Sequence, residues 1–191
     1  MTKARLEAFS DGVIAILITI MVLELHVPHE VTWEALRALV PIFLTYVLSF
    51  VFVGIYWNNH HHMLHAADRI NGTVLWANLH LLFWLSLVPF VTGWMGQNLV
   101  EPIPTAAYGI VLMCAGIAYY ILARALIAEC GPDSRLARAL GADRKGKLSI
   151  GFYAIAIGLA FVNPWIAVTI YVGVAMWWLI PDRRIEKRYG T

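Results

Sequence analysis

Apolar residues gather into five long stretches, divided by short segments that hold most of the charged residues. A helix needs about 20 apolar residues to cross about 30 Å of hydrocarbon. By that measure the pattern predicts spans over 9–27, 41–59, 74–95 and 105–127. Pro41 falls in a first helical turn, where its missing N–H costs nothing. Pro89 predicts a kink in the third span. Glu101-Pro102-Ile103-Pro104 breaks the chain before the fourth. The last stretch, 148–180, is apolar almost throughout. As one helix it would run about 50 Å, more than a bilayer core requires. Asn163-Pro164 near its middle is a strong turn signal. Split there, it yields short spans over 148–162 and 165–180, each about 24 Å long.

Charge placement arbitrates between five spans and six. In the six-span reading, thirteen of the 14 Lys and Arg residues fall on one side. They are Lys3 and Arg5; Arg69; Arg124, Arg135, Arg138, Arg144, Lys145 and Lys147; and Arg183, Arg184, Lys187 and Arg188. Arg37 stands opposite. The positive-inside rule makes the rich side cytoplasmic, with both termini there. Five spans would strand the C-terminal cations outside. Trp57, Trp94, Trp165, Trp177, Trp178 and Tyr189 lie near predicted span ends, where amphipathic rings favour the interface.

Composition agrees with a membrane chain. Hydrophobic residues make up 60% and charged residues only 14%, against about 25% charged in a soluble domain. Mean hydropathy is +0.69. The reading is one all-α membrane domain over 1–191. The first apolar run contains Asp11 and lacks a small-x-small cleavage site, so it reads as a retained helix rather than a signal peptide. Cys114 and Cys130 have no CxxC partner and no His at ligand spacing, which argues against a disulfide or a zinc site.

Polar residues inside apolar spans are costly and tend to face a bundle interior or a water path. Ser10 and Asp11 admit two readings: a helix N-cap, or partners for another helix. Gly12, Ile16, Thr19, Ile20 and Leu23 share one helical face. By residues alone this is an ordinary packing face. Glu24 stands near the outer end, as a solvated helix-end carboxylate or a collector of cations. The second span ends Trp57-Asn58-Asn59-His60-His61-His62. His61 and His65 stand at i,i+4, but no third metal ligand is arranged with them. Hydrogen bonding between helices, or a response to pH, are the other readings. Asn78 and His80 lie at the matching depth of the third span. With Asp11, Asn59 and His60 they predict a polar network tying the first three spans together. GxSxG, HExxH, P-loop and paired intramembrane carboxylates do not occur, so the chain reads as no enzyme, without cofactor, metal or nucleic-acid partner.

Arg5-x-x-x-Phe9-Ser10-Asp11 resembles the RxxxFSD signature of the transmembrane protein 175 family of endosomal and lysosomal potassium channels. Trp57-x-Asn59-His60-His61 and the stretch from Asn78 to Pro89 are similar to its prokaryotic members. The resemblance implies a homotetramer with six helices per subunit and the first helix lining a central pore. It implies an apolar constriction at Ile16, with Thr19, Ile20 and Leu23 as further pore-facing positions and Glu24 at the outer mouth. It implies Arg5, Phe9, Ser10, Asp11, Trp57, Asn59, His60, His61, Asn78 and His80 as a structural and gating set. The permeant ion would be K+, with modest selectivity over Na+, and Cs+, Rb+ and H+ are further candidates. A prokaryotic plasma membrane would be the location. A secondary transporter would need paired broken helices around a midplane site, and Pro89 with Asn163-Pro164 does not make such a pair. A non-conducting scaffold is the remaining alternative.

Overall fold

A computed structural model describes residues 2–99, 101–140 and 143–180. Regular structure among them is entirely helical: α1 (Lys3–Leu23), α2 (Trp33–Ala38), α3 (Val40–Ala66), α4 (Gly72–Ser86), α5 (Val88–Gln97), α6 (Pro102–Cys130), α7 (Arg135–Leu140), α8 (Arg144–Ala160) and α9 (Pro164–Leu179). Arg183, Arg184, Lys187, Arg188 and Tyr189 lie outside the described residues.

Among the described residues, four helical stretches are long and apolar enough to cross a bilayer: Lys3–Leu23, Val40–Ala66, Gly72–Gln97 and Pro102–Cys130. The third comprises α4 and α5. Pro89 has no N–H for the Leu85 carbonyl, so α4 stops at Ser86 and α5 restarts with the proline in its first turn. Leu87 between them stays in the right-handed helical region, so the chain bends without reversing. α6 ends at Gly131, whose φ of +95° lies outside the range comfortable for side-chain-bearing residues. α8 and α9 have 17 and 16 residues. Asn163 caps α9 by accepting from the Trp165 N–H at 3.0 Å. The chain folds back there: Lys145 near the start of α8 donates to the Ile180 carbonyl just past α9, at 3.2 Å.

α1 begins two turns earlier than the apolar pattern indicates. Its N-cap is Thr2. Ser10 and Asp11 therefore sit well inside the helix, which excludes the capping reading. The short helices α2 and α7 have no counterpart among the predicted elements, because six residues are too few to show a period.

α6 is the central element, packed against α4, α5, α8 and α9. Its inward positions include the small residues Ala106, Gly109, Ala115 and Ala118, all buried. Small residues let helix backbones approach closely without a hydrophobic drive between them. At Gly109 the approach is closest: a Cβ there would run into the Tyr171 hydroxyl and Ile157. Tyr171 reaches across to donate to the Thr105 carbonyl at 3.1 Å. A second tie sits mid-bundle. Thr92 of α5 and Ser49 of α3 share a hydrogen bond of 2.7 Å, and Ser49 bonds Tyr108 of α6 at 2.9 Å.

Contacts between helix ends fix which ends gather together. Lys3 donates to the His65 carbonyl, joining the start of α1 to the end of α3. Asn71 donates to Glu129 at 2.5 Å, joining the start of α4 to the end of α6. Lys147 lies over the Tyr120 ring, bringing in the start of α8. This end of the bundle carries Lys3, Arg5, Arg69, Lys145 and Lys147. At the other end, Glu24 just after α1 leans on Gly93 of α5, and Thr45 of α3 presses on Gly96.

Candidate pore helix and its polar brace

α1 has two faces of different character. Leu6, Ser10, Ile14, Leu17 and Met21 are buried against the rest of the subunit. They recur at helical spacing and form a single stripe. The opposite stripe runs through Arg5, Phe9, Gly12, Ile16, Thr19, Ile20 and Leu23, and every one of these residues is exposed. Ile16 is 58% and Leu23 72% accessible, so neither packs into its own subunit. Thr19 keeps its hydroxyl on this face and donates to the Ile16 carbonyl at 2.8 Å. The four candidate constriction residues thus lie together along one uncovered surface about 10 Å long. Glu24 does not extend this stripe. It is half-buried at the α1 C-cap, with its carboxylate against Gly93.

A buried hydrogen-bonded chain braces the opposite face. His60 of α3 meets the Asn78 Oδ1 atom of α4 at 2.7 Å. Asn78 Nδ2 donates to Ser10 Oγ of α1 at 2.9 Å. Ser10 passes its own proton to the Leu6 carbonyl at 2.9 Å. With the amide in this orientation, the His60 ring must present Nε2–H, so each of the three bonds pairs a donor with an acceptor. All three side chains are buried. The structure therefore joins α1, α3 and α4 at one level.

Asp11, one residue further, points toward the edge of the same junction. It accepts from the Trp57 indole N–H at 3.0 Å. The charge-assisted bond gives this carboxylate a partner on α3. Trp57 also stacks on His61, and His61 on His65, at centroid separations of 6.2 and 6.1 Å. His61 is exposed.

Other members of the predicted set stand apart. His80 is exposed and accepts from Trp84 on its own helix at 2.9 Å. Asn59 turns its amide back to the Ile55 carbonyl, and its own carbonyl accepts from Tyr119 of α6. Arg5 and Phe9 lie on the exposed stripe rather than in the brace. The Ser49–Thr92–Tyr108 tie was not among the predicted residues. Its sequence signal is present, since Ser49 and Thr92 are hydroxyls within apolar spans.

A family model for the endosomal/lysosomal potassium channel TMEM175 matches residues 5–89. A potassium channel of Chryseobacterium sp. (strain P1-3) is 53% identical over 187 residues, covering 98% of this chain and 97% of its own. A potassium channel of Streptomyces collinus is 32% identical, covering 84% of both chains. The crystal structure of a lysosomal potassium-selective channel TMEM175 homolog from Chamaesiphon minutus matches with a TM-score of 0.80 at 27% identity, over 93% of this chain and 96% of that one. With apolar helices long enough to span, these matches define a multi-pass membrane protein of the ion-channel class, not an enzyme. The chain belongs to the TMEM175 family.

Proposed function

We propose that the chain is a potassium-permeable channel, formed by four copies around a pore lined by the exposed stripe of α1. The observation that carries this reading is the stripe itself. It is continuous from Arg5 to Leu23, uncovered by its own subunit, and mixes apolar groups with the Thr19 hydroxyl. The relatives that match most of this chain are named potassium channels, which supplies the ion.

Each subunit crosses the membrane six times, with α4 and α5 counted together and α8 and α9 as two short spans. The cation-rich end, with Lys3, Arg69 and Lys147, is cytoplasmic by the positive-inside rule, and so are both termini. The plasma membrane is the location. A symmetric tetramer encloses on its axis a path that one subunit with so few polar groups at membrane depth cannot hold.

Four Ile16 side chains ring the path at its narrowest level and close it by steric contact and dewetting. Opening widens that ring through movement of α1 against its brace. Potassium sheds its water more readily than sodium, so a narrow apolar ring favours it modestly. Thr19, one turn further out, offers a hydroxyl or a held water to the ion. Glu24 contributes negative potential at the outer end from its position beside Gly93. The His60–Asn78–Ser10 chain and the Asp11–Trp57 bond hold the cytoplasmic half of α1 in register.

Reconstitution in liposomes, with potassium, sodium and proton fluxes measured under matched gradients, tests the proposal. The expected result is passive potassium flux that exceeds sodium flux and needs no counter-substrate. Flux that saturates and requires exchange would overturn it in favour of a transporter. Absence of flux from correctly assembled protein would overturn it in favour of a scaffold.

A further inference from the structure

Away from α1, a cavity of about 40 Å³ opens between α3, α6, α8 and α9. A single water needs about 10–15 Å³ of such space, so the cavity has room for a primary ammonium and its first carbon atoms. It lies at the cationic end of the bundle, beside the start of α8. Its walls are aromatic: Tyr56, Tyr119, Tyr153 and Trp178, with Phe52 behind them. Tyr56 and Tyr119 meet edge to face at 6.2 Å, as do Phe52 and Tyr153.

Tyr119, Tyr56, Trp178 and Ser149 use their polar hydrogens within the protein. Tyr119 donates to the Asn59 carbonyl at 3.3 Å, and Tyr56 points at the Leu112 carbonyl at 3.5 Å. Trp178 donates to Ser149, which passes its proton to the Lys145 carbonyl, both at 2.9 Å. These four residues are left with ring faces and oxygen lone pairs to offer a guest. Among the described residues, the one formal charge lining the cavity belongs to Asp143. One of its oxygens accepts from the Gly146 N–H at 3.2 Å. Its backbone is held at a φ of +40°, an uncommon conformation for a residue with a side chain.

Burial raises the Asp143 carboxyl above the usual carboxylate range, while the Gly146 N–H and the Lys147 ammonium pull it part of the way back. Lys147 itself lies over Tyr120, and Lys145 lies over Trp178 at 4.7 Å. The chain thus already seats its own ammonium on one of the cavity's rings. A carboxylate among aromatic faces is the chemistry that recognises a cation rather than an anion.

We propose that this cavity binds a primary ammonium group, with Asp143 as its counter-ion and the tyrosine and Trp178 rings as its walls. The group has two sources: a free alkylamine in solution, or the ethanolamine headgroup of a bilayer lipid. The site is separate from the α1 stripe and stands whether or not that stripe is a pore.

The test uses the full chain in nanodiscs of phosphatidylcholine alone, titrated with n-butylammonium and read by tryptophan fluorescence and thermal midpoint. A saturable response is expected, with n-butanol, of similar size but uncharged, giving none. Asp143→Asn is expected to weaken the response about tenfold, or about 1.4 kcal/mol. Asparagine keeps the helix-capping oxygen and tolerates positive φ, so the fold is retained. In phosphatidylethanolamine nanodiscs, a suppressed butylammonium response identifies the headgroup as the source, and an undiminished one identifies the free amine. No saturable response in phosphatidylcholine, an equal response to n-butanol, or matching titrations for wild type and Asp143→Asn would each overturn the proposal. Potassium flux is measured in parallel, so a failure here is distinct from a failure of the channel reading.

Discussion

Ile16→Asn is expected to raise potassium flux about tenfold and to erode the preference over sodium. Four isoleucines around an axis offer an ion no compensation for the water it loses. A carboxamide at the same position holds water and supplies ion–dipole contact. One such contact is worth about 1.4 kcal/mol, which is a tenfold change in rate. The side chain is more than half accessible in the single subunit, so the substitution breaks no internal packing. Flux from proteoliposomes under potassium and sodium gradients, corrected for the amount of assembled protein, reads the effect directly. An unchanged flux and an unchanged ion preference would show that Ile16 faces lipid.

Asn78→Leu is expected to cost about 2–5 kcal/mol of stability, because two buried partners lose their bonds at once. The His60 ring nitrogen and the Ser10 hydroxyl would each face an apolar side chain. Ser10→Ala is milder, at about 1–2 kcal/mol, since it leaves only the Asn78 amide hydrogen unsatisfied. Asn78→Asp keeps an acceptor toward His60 and loses the donor toward Ser10, so it falls between them. Thermal midpoints of purified protein in one detergent rank the three, with Leu lowest and Ala nearest wild type. Equal midpoints for Asn78→Leu and wild type would mean that the chain of bonds carries no stability. Because the brace sits behind the exposed stripe, the surviving Ser10→Ala protein is also expected to alter opening more than ion preference.

The four long helical stretches were legible because burial in lipid imposes a length and a composition on each helix. The division of 148–180 was legible too, since Asn163 caps α9 and Pro164 opens it. The beginning of α1 was not. Lys3, Arg5 and Glu7 carry no apolar signal, yet they extend the same helix by two turns.

At the brace, the sequence identified polar residues at the right depth but not which of them meet. Asn78 and His80 show why. Two residues apart on a helix, they point roughly 200° away from each other. Only one can face the junction. Asn78 does, and His80 turns outward to Trp84. A single step of about 100° separates His60, which is buried, from His61, which is exposed and stacked on Trp57. A helix's own period cannot say which face its neighbours cover. The cavity was hidden for a different reason. Tyr56, Tyr119 and Tyr153 read as apolar residues in apolar spans, and Asp143 as a loop charge, until four helices bring them together.

The central claim is that the exposed stripe of α1 faces a water-filled path. Cysteine accessibility in planar bilayers tests it most directly. Cysteine is placed singly at Ile16, Thr19, Leu23 and, as a buried control, Leu17, in a background with Cys114 and Cys130 replaced. A small water-soluble thiol reagent is then added while potassium current is recorded. The account predicts block at Thr19 and Leu23 from the outer side, block at Ile16 that depends on channel opening, and none at Leu17. Block at Leu17 with none along the stripe would contradict it.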